Sequence, residues 1–488
     1  MTMATHPTIF GQPRGLGTLF FTEMWERFTY YGMRAILILF LVTAAREGGL
    51  GLDDRTASSV YGLYIAATYL VALLGGWIAD RLIGAQRAVI GGAILIAMGN
   101  AMLMVGGADV FFLGLVVSVL GVGLLKPNIS VMVAHLYPEG GARRDAGFSI
   151  FYMGINVGAF MGSVLVPLCA ARFGWRWGFM LPAVGMLFGL VQFMVTRRWL
   201  GQSGLAAHST PAARSWIPVI VFVVAVTLVA ALAMTGRLTI NAAAVSDNAS
   251  WVIAIIAGGY FLYLVAFAGL TTQERRRVYV MMVLFAGYAM FFAGFEQGGA
   301  SLNLFADRYV DRVLLGGHMP AGVLQAVTPM IAILCAPLFA ALWLTLSKRG
   351  GDLMPSTKFA AGLALLGGGF LVMYVASRYV LAGAQVLPTW LIATYVLQEW
   401  GDLCLSPVGL SSMTRLAPPR LTGQIMGIWF LALALGNNVA GQLSRQYDAS
   451  KVHTLSDLFL EIFWFSCIGA TAMLLATPML RRWMAGVK

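Results

Sequence analysis

The sequence predicts an all-α membrane protein with fourteen transmembrane helices, and three observations carry that prediction. The 488 residues are 59% hydrophobic and only 11% charged, whereas soluble domains carry about 25% charged residues. Apolar stretches recur along the whole chain at about the 20-residue length that crosses a bilayer. They run continuously instead of alternating in polarity, which excludes a transmembrane β-barrel.

Taken in order, helices are expected near 16–43, 55–82, 86–106, 109–135, 145–170 and 175–199. Two follow near 215–235 and 249–271, then six near 276–305, 320–346, 356–378, 386–414, 422–446 and 456–486. The longest internal loop, Gly201 to Ser215, is rich in Ser, Ala and Gly and divides the chain. The expected organisation is a lead-in over 1–15 and a six-helix bundle over 16–200. A linker with two extra transmembrane helices over 201–275 and a second six-helix bundle over 276–488 complete it.

An even helix count puts both termini on one side of the bilayer. Loops on that side hold nineteen Lys and Arg, against ten on the other. The positive-inside bias therefore predicts cytoplasmic termini, and the inner membrane of a bacterium as the location. The net charge of +12 is distributed over these short loops and argues against nucleic acid as a partner. The first apolar stretch is too long for a cleaved signal peptide and has no small-residue cleavage site. Cys169, Cys335, Cys404 and Cys467 lie far apart in apolar stretches, as small core residues with no disulfide or metal spacing. No cofactor is expected beyond protons as a coupling ion, and the lipid bilayer is the only expected structural partner of a monomer.

The first helix holds Glu23, Glu26, Arg27 and Arg34, with Tyr30 and Tyr31 between them. At about 100° per residue, positions 23, 26, 27, 30 and 34 fall within roughly a third of the helix circumference. An ionised group at membrane depth costs roughly 2.5–3.5 kcal/mol on insertion scales. Two carboxylates and two guanidiniums on one stripe predict a face turned to a bundle interior or a watery path. Further along, Lys126 precedes Pro127, Glu296 follows a phenylalanine-rich run, and Glu399 and Asp402 lie one turn apart before Ser406-Pro407. Five buried carboxylates against three cations cannot all pair, so at least one is a candidate proton carrier. No histidine lies centrally in an apolar stretch, so proton coupling must run through carboxylates. Tyr152 and Asn156 share a face of the fifth helix, either as packing contacts or as contacts to a solute.

Two six-helix halves and the run Gly76-x-x-x-Asp80-Arg81-x-x-Gly84 resemble the major facilitator superfamily. The run Glu23-x-x-Glu26-Arg27-Phe28-x-Tyr30-Tyr31 is similar to the first-helix signature of its proton-coupled oligopeptide transporter family. Phe148-x-x-Phe151-Tyr152-x-x-Ile155-Asn156-x-Gly158 is similar to that family's second signature. Lys126-Pro127-Asn128, Glu296-Gln297, Ser406-Pro407-x-Gly409-Leu410-Ser411, Trp429-Phe430 and Gly436-Asn437 extend the match.

The resemblance implies the major facilitator fold and a symporter that imports di- and tripeptides with protons by alternating access. It implies that Arg34 and Lys126 hold the peptide carboxylate, while Glu296 and Asn156 hold the amino terminus. Tyr30 and Tyr69 would hydrogen-bond the peptide, and Trp429 would line a side-chain pocket. Thr328 and Ser406 stand at further binding positions, with Thr328 where the family often has Asn. Glu23, Glu26, Arg27 and Glu296 would couple protons to transport. Lys126 with Asp402, and Arg34 with Glu296, would form bridges between the bundles that act as gates; Asp402 replaces the family's usual Glu. Rival readings are a proton-coupled symporter of another small solute, such as nitrate, an amino-acid derivative or a drug, and a channel. Neither a His-Glu-x-x-His nor a Gly-x-Ser-x-Gly motif is present, so the chain is not expected to be an enzyme.

Overall fold

The computed structural model describes residues 8–9, 11–137, 141–205, 216–235, 237, 241–314, 317–348, 353–418, 421–448 and 451–484. Most of the Ser/Ala/Gly-rich loop and part of the N-terminal lead-in lie outside the described residues. Among them, fifteen α-helices run in the order α1 Arg14–Val42, α2 Asp54–Ile78, α3 Ala85–Val105, α4 Ala108–His135, α5 Gly141–Phe173 and α6 Trp175–Thr196. Next come α7 Ile217–Met234, α8 Ala242–Ala266, α9 Thr272–Phe295, α10 Ser301–Tyr309 and α11 Val327–Lys348. The last four are α12 Pro355–Leu381, α13 Thr389–Leu416, α14 Thr422–Arg445 and α15 Val452–Trp483. Two short antiparallel hairpins, β1–β2 (Thr8–Ile9 with Gln12–Pro13) and β3–β4 (Val313–Leu314 with Gly317–His318), lie between helices or precede them.

The fourteen expected helices are present, with one correction. The helix expected to run unbroken over 276–305 is interrupted: α9 ends at Phe295, a 3-10 turn takes Glu296–Gly299, and α10 resumes at Ser301. Gly298 and Gly299 together weaken the helix there, because glycine gives up the most backbone freedom on becoming helical. Eleven helices among the described residues are long and apolar enough to cross a membrane. Three helices are not among them: α7, whose apolar run Ile217–Val229 is shorter, and α1 and α13, which carry the ionisable clusters 23–34 and 399–402.

The chain divides into two compact units. The first comprises Met1–Leu37 and Ala67–Asn241; the second comprises Ile38–Ala66 and Ala242–Lys488. In the first unit, α3 and α4 cross at bare backbone. A Cβ on Gly92 would lie 2.6 Å from the Gly121 carbonyl oxygen, and one on Gly121 would lie 2.7 Å from that of Gly92. Small residues permit such close approach, which drives helix association in lipid. The same logic places α5 on α1. Gly154, Gly158 and Gly162, spaced at i, i+4 and i+8, present a smooth stripe to Phe20, Met24 and Phe28. In the second unit, α12 packs between α13 and α15, and α9 packs along α14. A buried polar set ties α8 to α14: Ser246 Oγ donates to Asn438 Oδ1 (3.1 Å), and Asn438 Nδ2 donates to the Ser246 carbonyl (2.6 Å). α9 begins with a capping box in which Thr271 and Glu274 satisfy each other's backbone amides, at 2.8 and 3.3 Å.

Candidate functional site

In the first unit the charged stripe of α1 turns inward. Glu23 is 3% exposed, Glu26 1%, Arg27 4% and Arg34 6%. Their burial follows from the glycine stripe of α5, which lets that helix lie close enough to cover them; the Arg27 stem packs beside Gly158. Arg27 Nε donates to Glu23 Oε1 at 2.8 Å and forms an ion pair with Glu26 Oε2 at 2.5 Å, the latter at an angle that makes no hydrogen bond. One guanidinium therefore serves two carboxylates. The other oxygen of Glu23 and Arg27 Nη2 make no hydrogen bond among the described residues.

Lys126 joins this group from α4. Its Nζ lies 3.8 Å from the Tyr69 ring centroid and 5.8 Å from that of Tyr30. Arg27 lies over Tyr30 at 5.5 Å, and Arg34 over Tyr31 at 5.6 Å. The ring faces of tyrosines attract cations, by more where water is excluded. Glu26 feels the charges of Arg27, Glu23 and Lys126, so these four form one electrostatic cluster, with Arg34 about two turns further along α1. Pro127 sits inside α4 directly after Lys126. Proline removes a helical N–H and loosens the turn before it. Asn128 reaches across to the Gly75 carbonyl at 3.2 Å. Asn156 donates to the Tyr152 carbonyl one turn back on α5 at 3.0 Å.

The second unit collects the opposite charge. Glu296 sits at the end of α9, 5% exposed, where the helix breaks. The break is riveted by Gln297, whose Nε2 donates to the Ala440 carbonyl on α14 (2.9 Å). Its Oε1 accepts from Ser301 (2.5 Å) and Ser444 (2.6 Å). On α13, Ser406 hydrogen-bonds to the half-buried Asp402. Ser406 Oγ also lies 3.1 Å from the Tyr288 hydroxyl. The Tyr288 ring stacks on Trp429, with centroids 4.0 Å apart and planes inclined at 21°. Phe292 continues the aromatic wall 4.8 Å from Tyr288. Asp402 feels the charge of Glu296, so Glu296, Asp402, Ser406 and Trp429 belong to one constellation. Thr328, at the start of α11, makes no hydrogen bond among the described residues.

Two features escaped the sequence reading. Tyr288 carries a weak signal: with Phe292 and Glu296 it forms an i, i+4, i+8 stripe on α9. The pair of Asp54 and Arg308 carries none. The two terminal Arg308 nitrogens donate one to each Asp54 oxygen, at 2.8 and 2.7 Å.

Comparison with known proteins returns a single family along nearly the whole chain. A family model described as "POT family" matches residues 86–465. The peptide transporter YePEPT of Yersinia enterocolitica is 40% identical over 98% of this chain and 96% of its own. Dipeptide and tripeptide permease A of Escherichia coli is 31% identical over 97% of this chain and 94% of its own. A crystal structure of peptide transporter POT in complex with sulfate superimposes with a TM-score of 0.90 at 38% identity, covering 99% of this chain and 98% of that one. A crystal structure of a POT family transporter in complex with 5-aminolevulinic acid gives 0.90 at 31% identity, covering 98% and 100%.

Proposed function

The chain belongs to the POT family, a group of integral membrane transporters, and from that premise we propose that it imports di- and tripeptides with protons by alternating access. The observation that carries the proposal is the separation of buried and half-buried charge. Arg34, Lys126 and Arg27 stand in the first unit, and Glu296 and Asp402 in the second. A peptide zwitterion needs a positive pole for its carboxylate and a negative pole for its amino group. Two residues extend at most about 7 Å between those groups and three about 11 Å, so fixed poles measure length while ignoring side chains. Water completes the varied contacts that different side chains require.

In this reading Arg34 and Lys126 bind the carboxylate, Glu296 and Asn156 the amino terminus, and Tyr30, Tyr69, Thr328 and Ser406 the backbone. Trp429 lines a side-chain pocket that the Tyr288 ring borders. Glu23, Glu26, Arg27 and Glu296 carry the coupling. Proton uptake by Glu296 releases Arg34 to the substrate, and Lys126 exchanges between the peptide carboxylate and Asp402 as the cycle turns. The carrier works as a monomer in a bacterial inner membrane with both termini in the cytoplasm. A ligand of one relative favours a second reading: a POT family transporter is seen in complex with 5-aminolevulinic acid, an amino-acid derivative that also has an amine and a carboxylate about a dipeptide's length apart. Uptake of labelled dipeptides and of 5-aminolevulinic acid into sealed proteoliposomes, with and without an inward proton gradient, separates the two. Gradient-driven accumulation of several unrelated dipeptides supports the peptide reading; accumulation of the derivative alone overturns it.

A further inference from the structure

The transport reading uses Glu296 and Asp402 in the second unit and leaves a third buried carboxylate without a task. Glu399 lies one turn before Asp402 on α13 and is 3% exposed. Among the described residues it makes no hydrogen bond and no ion pair. Four other polar side chains of the same helix do hold something, although the adjacent Gln398 Nε2 is buried with no hydrogen-bond partner among the described residues. Thr394 Oγ1 donates to the Gly369 carbonyl (3.0 Å), Tyr395 to the Gly298 carbonyl (3.4 Å), Trp400 Nε1 to Cys335 Sγ (3.4 Å), and Ser406 to Asp402.

Among the described residues, the ionisable groups that act on Glu399 electrostatically are Asp402 on its own helix and Cys335 on α11. Glu296, from α9, acts on Asp402; Lys358, from α12, acts on Cys404. Among the described residues neither Glu399 nor Asp402 forms an ion pair with a Lys or Arg. The first unit is different, because there Arg27 serves both Glu23 and Glu26. A buried carboxyl without a cation is a costly place for a negative charge and a ready place for a proton.

We propose that Glu399 is a further proton-carrying carboxylate of this transporter, acting beside Asp402 on α13. Its proton arrives from the outer solution and leaves to the inner one, so no other reactant is required. The inference rests on the proton-coupled reading above. It adds one titrating site, placed a helical turn from a carboxylate that is linked through Ser406 and Tyr288 to the Trp429 wall.

The test is the proton-to-peptide ratio, obtained from reversal potentials in proteoliposomes using labelled dialanine. Each variant is also tested for counterflow exchange, which moves peptide without net proton movement. The expected result is that Glu399→Gln lowers the ratio by about one proton per peptide, with counterflow kept within twofold, and that Glu399→Asp restores the wild-type ratio. An unchanged ratio in Glu399→Gln overturns the inference while leaving the transport reading intact. Loss of counterflow in the same variant also overturns it, because that marks a structural role. Wild-type uptake that carries no protons overturns the transport reading, and this inference with it.

Discussion

The two units bury charge in opposite ways. In the first, Arg27 and Lys126 act on two carboxylates with Arg34 further along α1, and each of these cations has a tyrosine ring beneath it. In the second, Glu296, Glu399 and Asp402 are buried or half-buried, with hydroxyls and an aromatic stack as their company. Desolvating a charge is tolerable when a partner or a ring face is at hand, and expensive otherwise. On the proposed reading the cations of the first unit stay charged, while carboxylates of both units take up and release protons. That asymmetry is what a symporter needs: a lasting positive pole for the carboxylate, and a titratable pole that links protons to the cycle.

The contrast can be broken most severely at Glu296. Glu296→Gln is expected to abolish accumulation of peptide against its gradient, leaving only equilibration, as measured by uptake under an imposed proton gradient. Retained accumulation would remove the second unit's proton role. On the first unit, Lys126→Ala is expected to raise the half-saturation concentration about tenfold or more, since a hydrogen bond to a charged group contributes about 1.5–3 kcal/mol. An unchanged value would show that the cation over Tyr69 does not touch substrate.

Smaller effects sharpen the picture. Tyr288→Phe keeps the ring on Trp429 but removes the hydroxyl beside Ser406. It should cost about 1 kcal/mol in thermal stability, read as a lower melting midpoint in detergent. The smallest effect is expected at the start of α2, outside both clusters. There Asp53 accepts from the Thr56 amide (3.0 Å) and hydroxyl (2.6 Å). These bonds hold its carboxyl below the ordinary carboxylate range. Asp53→Ala should cost about 0.5 kcal/mol, the low end for an exposed cap. Because the folded-state value is depressed, the stabilisation is present above the ordinary carboxylate range and is lost as the pH falls through the folded value. A melting difference between wild type and variant that persists in acid would contradict this sign.

How legible the molecule is from its sequence depends on the range of the interaction. Helices and the charged face of α1 follow from local periodicity, because burial and the helical repeat act over a few residues. The break after Phe295 is a local event too, but Gly298-Gly299 signals it weakly inside an otherwise apolar run. The function of Gly154, Gly158 and Gly162 becomes visible only when α1 is laid against them. The Asp54–Arg308 pair joins positions far apart in the chain, and no periodicity reports such a contact. The binding and coupling roles were reached through family resemblance, because spacing alone says which charges are buried and not what they hold.

The central claim is that the positive pole lies in the first unit and the negative pole in the second. It is tested most directly by competing dipeptide uptake with the same dipeptide blocked at one end, either N-acetylated or C-amidated. Wild type is expected to prefer the unblocked form over both. Lys126→Ala should lose its discrimination against the amide while still rejecting the acetylated peptide, and Glu296→Gln should show the reverse in counterflow exchange. If both variants lose both preferences together, or if neither changes, the two poles are not where this account puts them.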